Sequence, residues 1–465
     1  ALRRPSRFMS YLGRMIPAVS AAGLLVSSTL SAQPSPTRSI GDSAQPLQVT
    51  VSELPIYVAP AVDALRRGTL ARGAQVLVHE RARGAGCQGD WVLVGAAAWA
   101  CDDSRSFGPS SAAEATTSAA DASHEYARIS VSGALGYKSI AQAEAQLPDA
   151  ELQPGFFVSI VEHRVIDGEL YLRTTHDIWL ARRDVVLVQP SAFEGVEIDE
   201  ATATLPMPPV TASSRAAIGV DATNGQRRAA ADTAAPAIER ALLPLGWTYV
   251  DRAVPRRSPD GPAVPRATLG RHSRVQVLET RRHRDQRLWY RTNEGWFSER
   301  ELRVPLLTLP PDGIGERERW LDIDRRRQTL VAYVGETPVF ATLVSTGRGI
   351  DVGSSATPPG SYRIWVKLTM TDMDNLEEVN QTTAEDAKEP YAVEAVPFVM
   401  FFHRGVGLHA TYWHDGFGTP KSHGCVNLSL RDAERIFDFT GPRLPKGWQA
   451  AHPYAYDPGT LVRVR

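Results

Sequence analysis

The chain has 465 residues, 43% of them hydrophobic, which predicts about three domains with substantial hydrophobic cores. Its formal net charge is −1, from 51 basic and 52 acidic residues. This balance excludes an overall charge suited to nucleic acid or anionic surfaces, and the arginines are spread along the chain without forming a basic patch.

Residues 1–32 have the pattern of a signal peptide. Several arginines precede the apolar run MIPAVSAAGLLVSSTL, and SAQ offers a cleavage site after Ala32. The run is shorter than the about 20 residues that a membrane-spanning helix needs. We expect an exported protein of the periplasm or cell envelope, with no transmembrane domain after cleavage. An uncleaved N-terminal anchor is the alternative.

Three segments share a leucine, a turn, an alternating apolar strand and a later tryptophan. The segments begin TLARGAQVLVHE, ELQPGFFVSIVE and TLGRHSRVQVLE, and 27 to 29 residues separate leucine from tryptophan in each. Short strands joined by turn residues predict small all-β barrels, with the tryptophans in their cores. The pattern resembles bacterial SH3-like domains. That resemblance implies either binding of cell-wall peptide or spacing of a catalytic domain.

The fold class that we predict is mainly β, with three small SH3-like β-barrels before a mostly-β catalytic domain. The linkers are rich in small and polar residues or in Ala, Thr and Pro, without clear periodicity. The predicted boundaries, in chain order, are a linker at 33–48, repeat one at 49–105, a linker at 106–123, repeat two at 124–192, a linker at 193–236, repeat three at 237–306 and the catalytic domain at 307–465.

Export also determines how the three cysteines are interpreted. Cys87 and Cys101 flank a pair of strand-like segments and are 14 residues apart. In an oxidising compartment this pair predicts a disulfide that contributes about 3 kcal/mol to stability. Two buried free thiols are the alternative. The pairing leaves Cys425 as an odd cysteine, which indicates a functional role.

The C-terminal domain contains alternating or β-branched runs of strand length, such as QTLVAYV and TPVFATLVSTG. The polar segment 369–396 interrupts them, and we expect it to leave the sheet and act as a lid. LSLRDAERIFDFTG predicts one amphipathic helix that ends before Gly441. The helix therefore follows directly after Cys425.

A cysteine attacks as its thiolate, so Cys425 needs a base nearby. His423 is only two residues away, and in an extended segment its side chain would project parallel to that of Cys425. His409 belongs to a preceding strand and can face the sulfur across the sheet. We therefore assign the base to His409 and expect His423 to support the loop or polarise a substrate carbonyl.

The turn before the helix suggests how a reacting carbonyl is bound. Gly424 allows close backbone approach, and with the amide of Cys425 it can form an oxyanion hole. Ser422 and Asn427 are short polar residues that we expect to hold the backbone of the turn. A zinc site and a purely structural cysteine are the alternatives. No cofactor is predicted, since the chain has neither CxxC nor HExxH.

The stretch LHATYWHDGFGTPKSHGCVNL resembles the catalytic motif of L,D-transpeptidases, the YkuD domain. The resemblance extends over roughly residues 317–465 and includes TPPGSYRI and GTLVRV. The motif positions are His409, Ser422, His423, Gly424, Cys425, Val426 and Asn427. Many members carry Gly after the histidine where this chain has Ala410. The resemblance implies that the backbone carbonyl of Ala410 orients the imidazole.

The resemblance also implies a reaction. Cys425 would attack the bond between the third residue of a peptidoglycan stem peptide and D-Ala, and pass the acyl group to an amine. The amine would belong to a second stem, giving a 3→3 crosslink, or to an envelope protein. Water as acceptor would make the protein a carboxypeptidase or hydrolase, and a silent envelope-binding protein is the remaining alternative. The resemblance further implies that carbapenems acylate Cys425.

Overall fold

The computed structural model describes residues 46–109, 124–199, 210–212, 242–349, 355–376 and 390–465. The predicted signal peptide at 1–32 lies outside these residues, as do most of the predicted linkers. Within the described ranges, no helix is both long and apolar enough to cross a membrane. The architecture is mainly β, as predicted.

The region of repeat one is an all-β unit whose core also includes Trp448 and Ala451 of the C-terminal domain. Its buried side chains include Ile56, Leu70 and Val92. Cys87 and Cys101 form a disulfide with a Cα–Cα distance of 5.6 Å. Trp91 is fully buried, whereas the predicted core residue Trp99 is only half-buried. The strands are β1 Leu47–Val49, β2 Glu53–Tyr57, β3 Arg66–Ala71, β4 Gln75–Val76, β5 Glu80–Ala82, β6 Asp90–Gly95, β7 Ala98–Asp102 and β8 Phe107–Pro109.

The region of repeat two is mainly β, with a short α-helix and a 3₁₀ helix at Arg182–Asp184 that the sequence pattern did not predict. Helix α1, Ile140–Glu144, is capped by Ser139, whose hydroxyl accepts from the amide of Gln142. Trp179 is buried. The strands are β9 Glu125–Ile129, β10 Ala134–Tyr137, β11 Ala150–Leu152, β12 Phe157–Ile166, β13 Glu169–Thr174, β14 Trp179–Ala181 and β15 Val185–Val188.

The start of the predicted linker 193–236 is not a free linker. Phe193 is buried between Trp247 and Phe417, with ring centroids 6.1 and 5.9 Å away. Strand β16, Val196–Glu197, continues the path by pairing with a catalytic-domain strand. The buried ring of Phe193 and the pairing of β16 with the edge strand of the sheet hold this stretch in place. The composition of the stretch did not predict either contact. A short strand β17, Val210–Ala212, follows.

The region of repeat three has its own core around Val275, Tyr290 and Phe297. Trp296 is buried. Three mainly β regions are compatible with small barrels, and the SH3-like assignment stays a prediction. The strands are β18 Leu245–Thr248, β19 Arg274–Gln276, β20 Glu279–Arg282, β21 Leu288–Arg291, β22 Trp296–Ser298 and β23 Leu302–Arg303.

The catalytic domain packs two sheets and one helix around a shared core. The six-stranded sheet has the order β16-β26-β25-β24-β33-β27, and the second sheet contains β28 to β32. Helix α2, Leu430–Phe439, buries Ile436 and Phe437 in that core, as its periodicity predicted. The strands are β24 Arg319–Asp324, β25 Thr329–Val334, β26 Thr337–Leu343, β27 Gly360–Arg363, β28 Val366–Asp374, β29 Ala392–His403, β30 Val406–Ala410, β31 Val426–Leu428, β32 Trp448–Ala451 and β33 Leu461–Val464.

The predicted lid 369–396 is mostly strand at its two ends. β28 runs to Asp374 and β29 begins at Ala392, and the two strands pair antiparallel. Alternating apolar residues such as Val393 are buried there, so these ends belong to the sheet. The tip, residues 377–389, lies outside the described residues.

Repeats one and two dock directly on the catalytic domain. β3 pairs antiparallel with β32, and Phe157 of β12 pairs with Val393 of β29. Arg67 is buried at the first contact and donates to the carbonyl of His452 at 2.9 Å. The catalytic sheet therefore continues into the preceding units.

Candidate active site

Cys425 lies at the entry to β31, which runs parallel to β30. In that register Val426 pairs with Leu408 and Asn427 pairs with His409. Alternate residues of a strand share a face, so His409 lies one strand away from Cys425, diagonally displaced. The sulfur is partly buried, 3.8 Å from the carbonyl oxygen of Gly405 in the turn between β29 and β30.

His409 is held in one orientation. Its side chain is buried, and Nδ1 lies 2.8 Å from the carbonyl oxygen of Ala410, the orienting contact that the family resemblance implied. Because a carbonyl only accepts, Nδ1 carries the proton and Nε2 is left as the basic nitrogen. The ring stacks on Trp413 at a centroid distance of 5.8 Å. The Ala410 carbonyl therefore selects the tautomer of the imidazole, and Trp413 restricts the movement of the ring.

Burial moves both reacting groups away from their charged forms. It lowers the pKa of His409 to about 4, against the weaker effect of the Ala410 carbonyl. It also raises the pKa of the Cys425 thiol, although the amide of Gly407 acts in the opposite direction. At neutral pH the pair therefore begins as a thiol and a neutral imidazole. Such a pair needs proton transfer during attack, which is general-base catalysis.

The nucleophile turn is closed by internal hydrogen bonds. The hydroxyl of Ser422 donates to the carbonyl of Cys425 and accepts from the amide of Gly424 at 3.1 Å. Gly424 has φ of +140°, a conformation that side-chain-bearing residues rarely adopt. The two hydrogen bonds of Ser422 therefore close the turn, and its supporting role in the reaction stays a prediction. The Gly424 amide is engaged here, so of the two donors proposed for the oxyanion hole we keep only the Cys425 amide.

Asn427 is fixed from two sides. Its backbone exchanges hydrogen bonds with Ser345, at 2.8 and 3.0 Å. Its buried side-chain amide lies 2.9 Å from Nε2 of His414. Burial lowers the pKa of His414 to about 4, so this second histidine is neutral at the same pH as His409. Asn427 therefore anchors β31, in keeping with the expected role in holding the backbone.

His423 contacts another part of the chain. It is exposed, and its ring stacks nearly parallel on Tyr391 at a centroid distance of 5.0 Å. Tyr391 directly precedes β29, so the stack ties the nucleophile turn to the base of the segment that we expected to be a lid. The predicted support role of His423 stays a prediction.

Within the described residues, no group of three or more His, Cys, Asp or Glu side chains is placed to hold a metal ion. The zinc alternative, built from His409, His414, His423 and Cys425, therefore has no geometric support.

Sequence reasoning missed several residues that shape the site. Thr357 donates from its hydroxyl to the carbonyl of Gly424 at 2.7 Å and accepts from the amide of Gly347 at 2.8 Å. It is the first residue of TPPGSYRI, so that motif was the available signal. Trp413 stacks on His409, and the only signal for this contact in the sequence is that Trp413 follows His409 by four residues.

Comparison with known families adds independent information. The model of the YkuD family, described as the L,D-transpeptidase catalytic domain, matches residues 318–464. This part of the chain is a YkuD domain. The match begins just before β24 and ends with β33, so the YkuD domain coincides with the two-sheet unit that carries Cys425.

Solved L,D-transpeptidase structures resemble the chain at low identity. The protein from Stackebrandtia nassauensis is 24% identical over 32% of this chain and 57% of its own, with a TM-score of 0.21. A mutant of the protein from Enterococcus faecium is 19% identical over 32% of this chain and 50% of its own, with a TM-score of 0.23. The protein from Mycobacterium smegmatis is 19% identical over 37% of this chain and 71% of its own, with a TM-score of 0.25. The chain thus spans about half the length of the first two. No curated protein matches it significantly.

Proposed function

We propose that the protein is a cysteine-dependent peptidoglycan L,D-transpeptidase. The observation that carries the proposal is the His409 imidazole, held by Ala410 with Nε2 unprotonated, one strand from the only free cysteine among the described residues. A YkuD domain supplies the reaction class. The substrate is a tetrapeptide stem, and the acceptor is an amine.

The reaction proceeds by two acyl transfers. Cys425 Sγ attacks the carbonyl between the third residue and D-Ala while Nε2 of His409 takes the thiol proton. The C–N bond breaks, the proton passes to the departing amine of D-Ala, and a thioester remains on Cys425. An acceptor amine then attacks the thioester, gives its proton to His409, and releases the thiolate, which recovers that proton. No oxidant, metal or other co-reactant is consumed.

The negative charge that develops on the carbonyl oxygen needs a donor. We place the Cys425 amide in that role, since the Gly424 amide is already bonded to Ser422. Removing one such donor typically costs about 3 kcal/mol of transition-state stabilisation. Thr357 supports this function because it holds the Gly424 carbonyl and so orients the following peptide unit.

We also propose that the protein acts outside the cytoplasm, in the periplasm or cell envelope. The Cys87–Cys101 disulfide supports this location, because such bonds persist in oxidising compartments. The acyl acceptor is a second stem peptide in our proposal. An envelope-protein lysine or water are the other outcomes of the test below.

The test is product analysis with purified muropeptides. We expect wild-type protein to convert tetrapeptide monomers to 3→3 dimers with release of D-Ala. Cys425→Ala should keep its melting temperature and lose all turnover and all mass increase with a carbapenem. Trimmed monomers without dimers would indicate the carboxypeptidase. Full turnover by Cys425→Ala, or a wild type that neither turns over nor is acylated, would overturn the proposal.

A further inference from the structure

A row of aromatic rings packs behind His409, and we call it the aromatic wall. Its rings do not all belong to the catalytic domain. Trp413 stacks on the imidazole and meets Tyr412 edge-on at 5.1 Å. The next ring is Phe157, which belongs to the predicted second repeat and lies 6.3 Å from both Trp413 and Tyr412. The wall therefore crosses from one unit of the chain to another.

We infer that Phe157 is a positioning residue of the active site, and that its ring holds Trp413 against the imidazole of His409. The inference rests on the proposed role of His409 as the base. Trp413 is only partly buried, so its packing partners limit the orientations that its large ring can adopt. A displaced Trp413 would leave one face of the imidazole without a partner.

Phe157 is itself rigidly placed, because the second unit docks on the catalytic domain around it. Its backbone pairs with Val393 in β29. Nearby, Tyr126 stacks on Tyr412 with centroids 3.8 Å apart. The hydroxyl of Tyr412 in turn donates to the carbonyl of Glu394 at 2.7 Å. Stacked rings and strand pairing leave Phe157 little freedom to move relative to Trp413.

Polar contacts reinforce the same docking. The hydroxyl of Ser159 donates to the Glu394 carbonyl at 3.3 Å. His176 binds Asp372 at 2.7 Å and lies 3.4 Å from Glu394. The hydrogen bond to Asp372 raises the pKa of His176 to about 9, so this histidine is charged at neutral pH and pairs with Asp372. The second unit is thus a fixed part of the site, beyond any role as a spacer.

The adjacent Phe156 provides a matched control. It is also partly buried, but it packs against the core of its own unit, around Ile129 and Val158. Phe156→Ala and Phe157→Ala therefore remove the same ring from adjacent positions that pack against different cores. Only Phe157→Ala removes a contact with the catalytic domain. Phe157→Tyr keeps the ring and serves as the conservative variant.

The experiment uses full-length protein and the rate of Cys425 alkylation by iodoacetamide from pH 4 to 9. The other two cysteines are in the disulfide, so alkylation reports on Cys425 alone. Among the titrating groups, the His414 imidazole interacts with His409 and the Cys425 thiol lies one strand away, and His176, Asp372 and Glu394 titrate in the docking contact. All five are present in both alanine variants, so the comparison isolates the ring.

We expect Phe157→Ala to slow alkylation at neutral pH by up to about 100-fold, the loss that a misplacement of about 1 Å can cause. The pH below which the alkylation rate falls should rise from about 4, because water would reach the His409 imidazole and raise its pKa. Phe157→Tyr should restore the wild-type profile. Phe156→Ala should lower the melting temperature without moving the acid limb.

Identical pH profiles for Phe157→Ala and Phe156→Ala would overturn the inference, as would a His409→Ala variant with the wild-type profile. The assay needs no peptidoglycan substrate. A shifted profile together with absent muropeptide dimers would therefore uphold Phe157 as a positioning residue while rejecting the transpeptidase.

Discussion

In the proposed mechanism, the reactivity of the site depends on a histidine that is neutral because it is buried. His409 has its pKa lowered to about 4, and the hydrogen bond to Ala410 selects the tautomer that leaves Nε2 basic. The Cys425 thiol has its pKa raised by the same burial. Two neutral partners avoid the cost of an ion pair in a dry site. Ser422 and Thr357 then hold the turn that carries the sulfur.

Because the His409 imidazole stays neutral to low pH, we predict that the acylation rate falls only at an unusually acidic pH. Acylation of wild-type protein by a carbapenem, followed by intact mass, should stay near its plateau down to about pH 5 and fall as His409 protonates near pH 4. The folded pKa lies below the ordinary value of 6.5. The stability that this group contributes is therefore present above pH 6.5 and is lost as the pH falls through 4. Circular dichroism at each pH provides the control for unfolding, and an acid limb centred at 6.5 would contradict the prediction.

At the scale of single elements, helix α2 is fixed at both ends. Ser429 caps its start by accepting from the amide of Asp432 at 3.2 Å. Lys367, buried in β28, caps its end by donating to the carbonyls of Phe437 and Thr440. A cation is favourable at a helix C-terminus, yet burial lowers the pKa of this lysine to about 7. The helix that follows the nucleophile is thus tied to the sheet that carries the base.

Lys367→Met should lower the free energy of unfolding by about 2 kcal/mol at pH 7, because the Thr440 carbonyl loses its buried donor. The folded pKa is below the unfolded 10.5, so the unfolded state binds more protons between pH 7 and 10.5. Wild-type stability relative to the variant should therefore rise from pH 7 to 9. Urea unfolding measures both effects. The exposed Lys446→Met is the control, and an equal effect of the two substitutions would refute the capping role.

For the whole molecule, the preceding units extend the catalytic sheet. β3 pairs with β32, and Arg67 fills the junction, with its guanidinium 4.1 Å from the ring centre of Tyr454 and 5.2 Å from that of Trp448. The same side chain donates to the His452 carbonyl and lies 3.7 Å from Asp457. Repeat one is therefore anchored by a buried cation and by strand pairing together.

Arg67→Met should release this junction and lower the free energy of unfolding by about 2 kcal/mol, the value of a hydrogen-bonded buried charge. Hydrogen exchange of the β32 amides, Trp448–Ala451, should become faster. Arg72→Met is the control, since Arg72 is exposed and donates to the Thr50 carbonyl within its own unit. Unchanged exchange in β32 would show that the pairing does not depend on Arg67.

Much of the active site could be predicted from the sequence because its signals are local. The pattern around Cys425 predicts the proposed nucleophile turn, strand geometry favours His409 over His423 as the proposed base, and apolar periodicity predicts helix α2. The spacing of Cys87 and Cys101 likewise predicted the disulfide. Each of these features depends on residue types and on distances along a short stretch of chain.

Only the tertiary structure decided the rest. The Thr357–Gly424 bond joins residues 67 positions apart, and the Ser159–Glu394 bond joins residues 235 apart. Local composition carries no record of which distant surfaces will pack, so it suggested a linker at Phe193 and separate repeats. Packing excluded water from His409 and placed Phe157 behind Trp413. The amino-acid sequence by itself determined which groups we propose to react, and burial by distant segments decided their protonation and orientation.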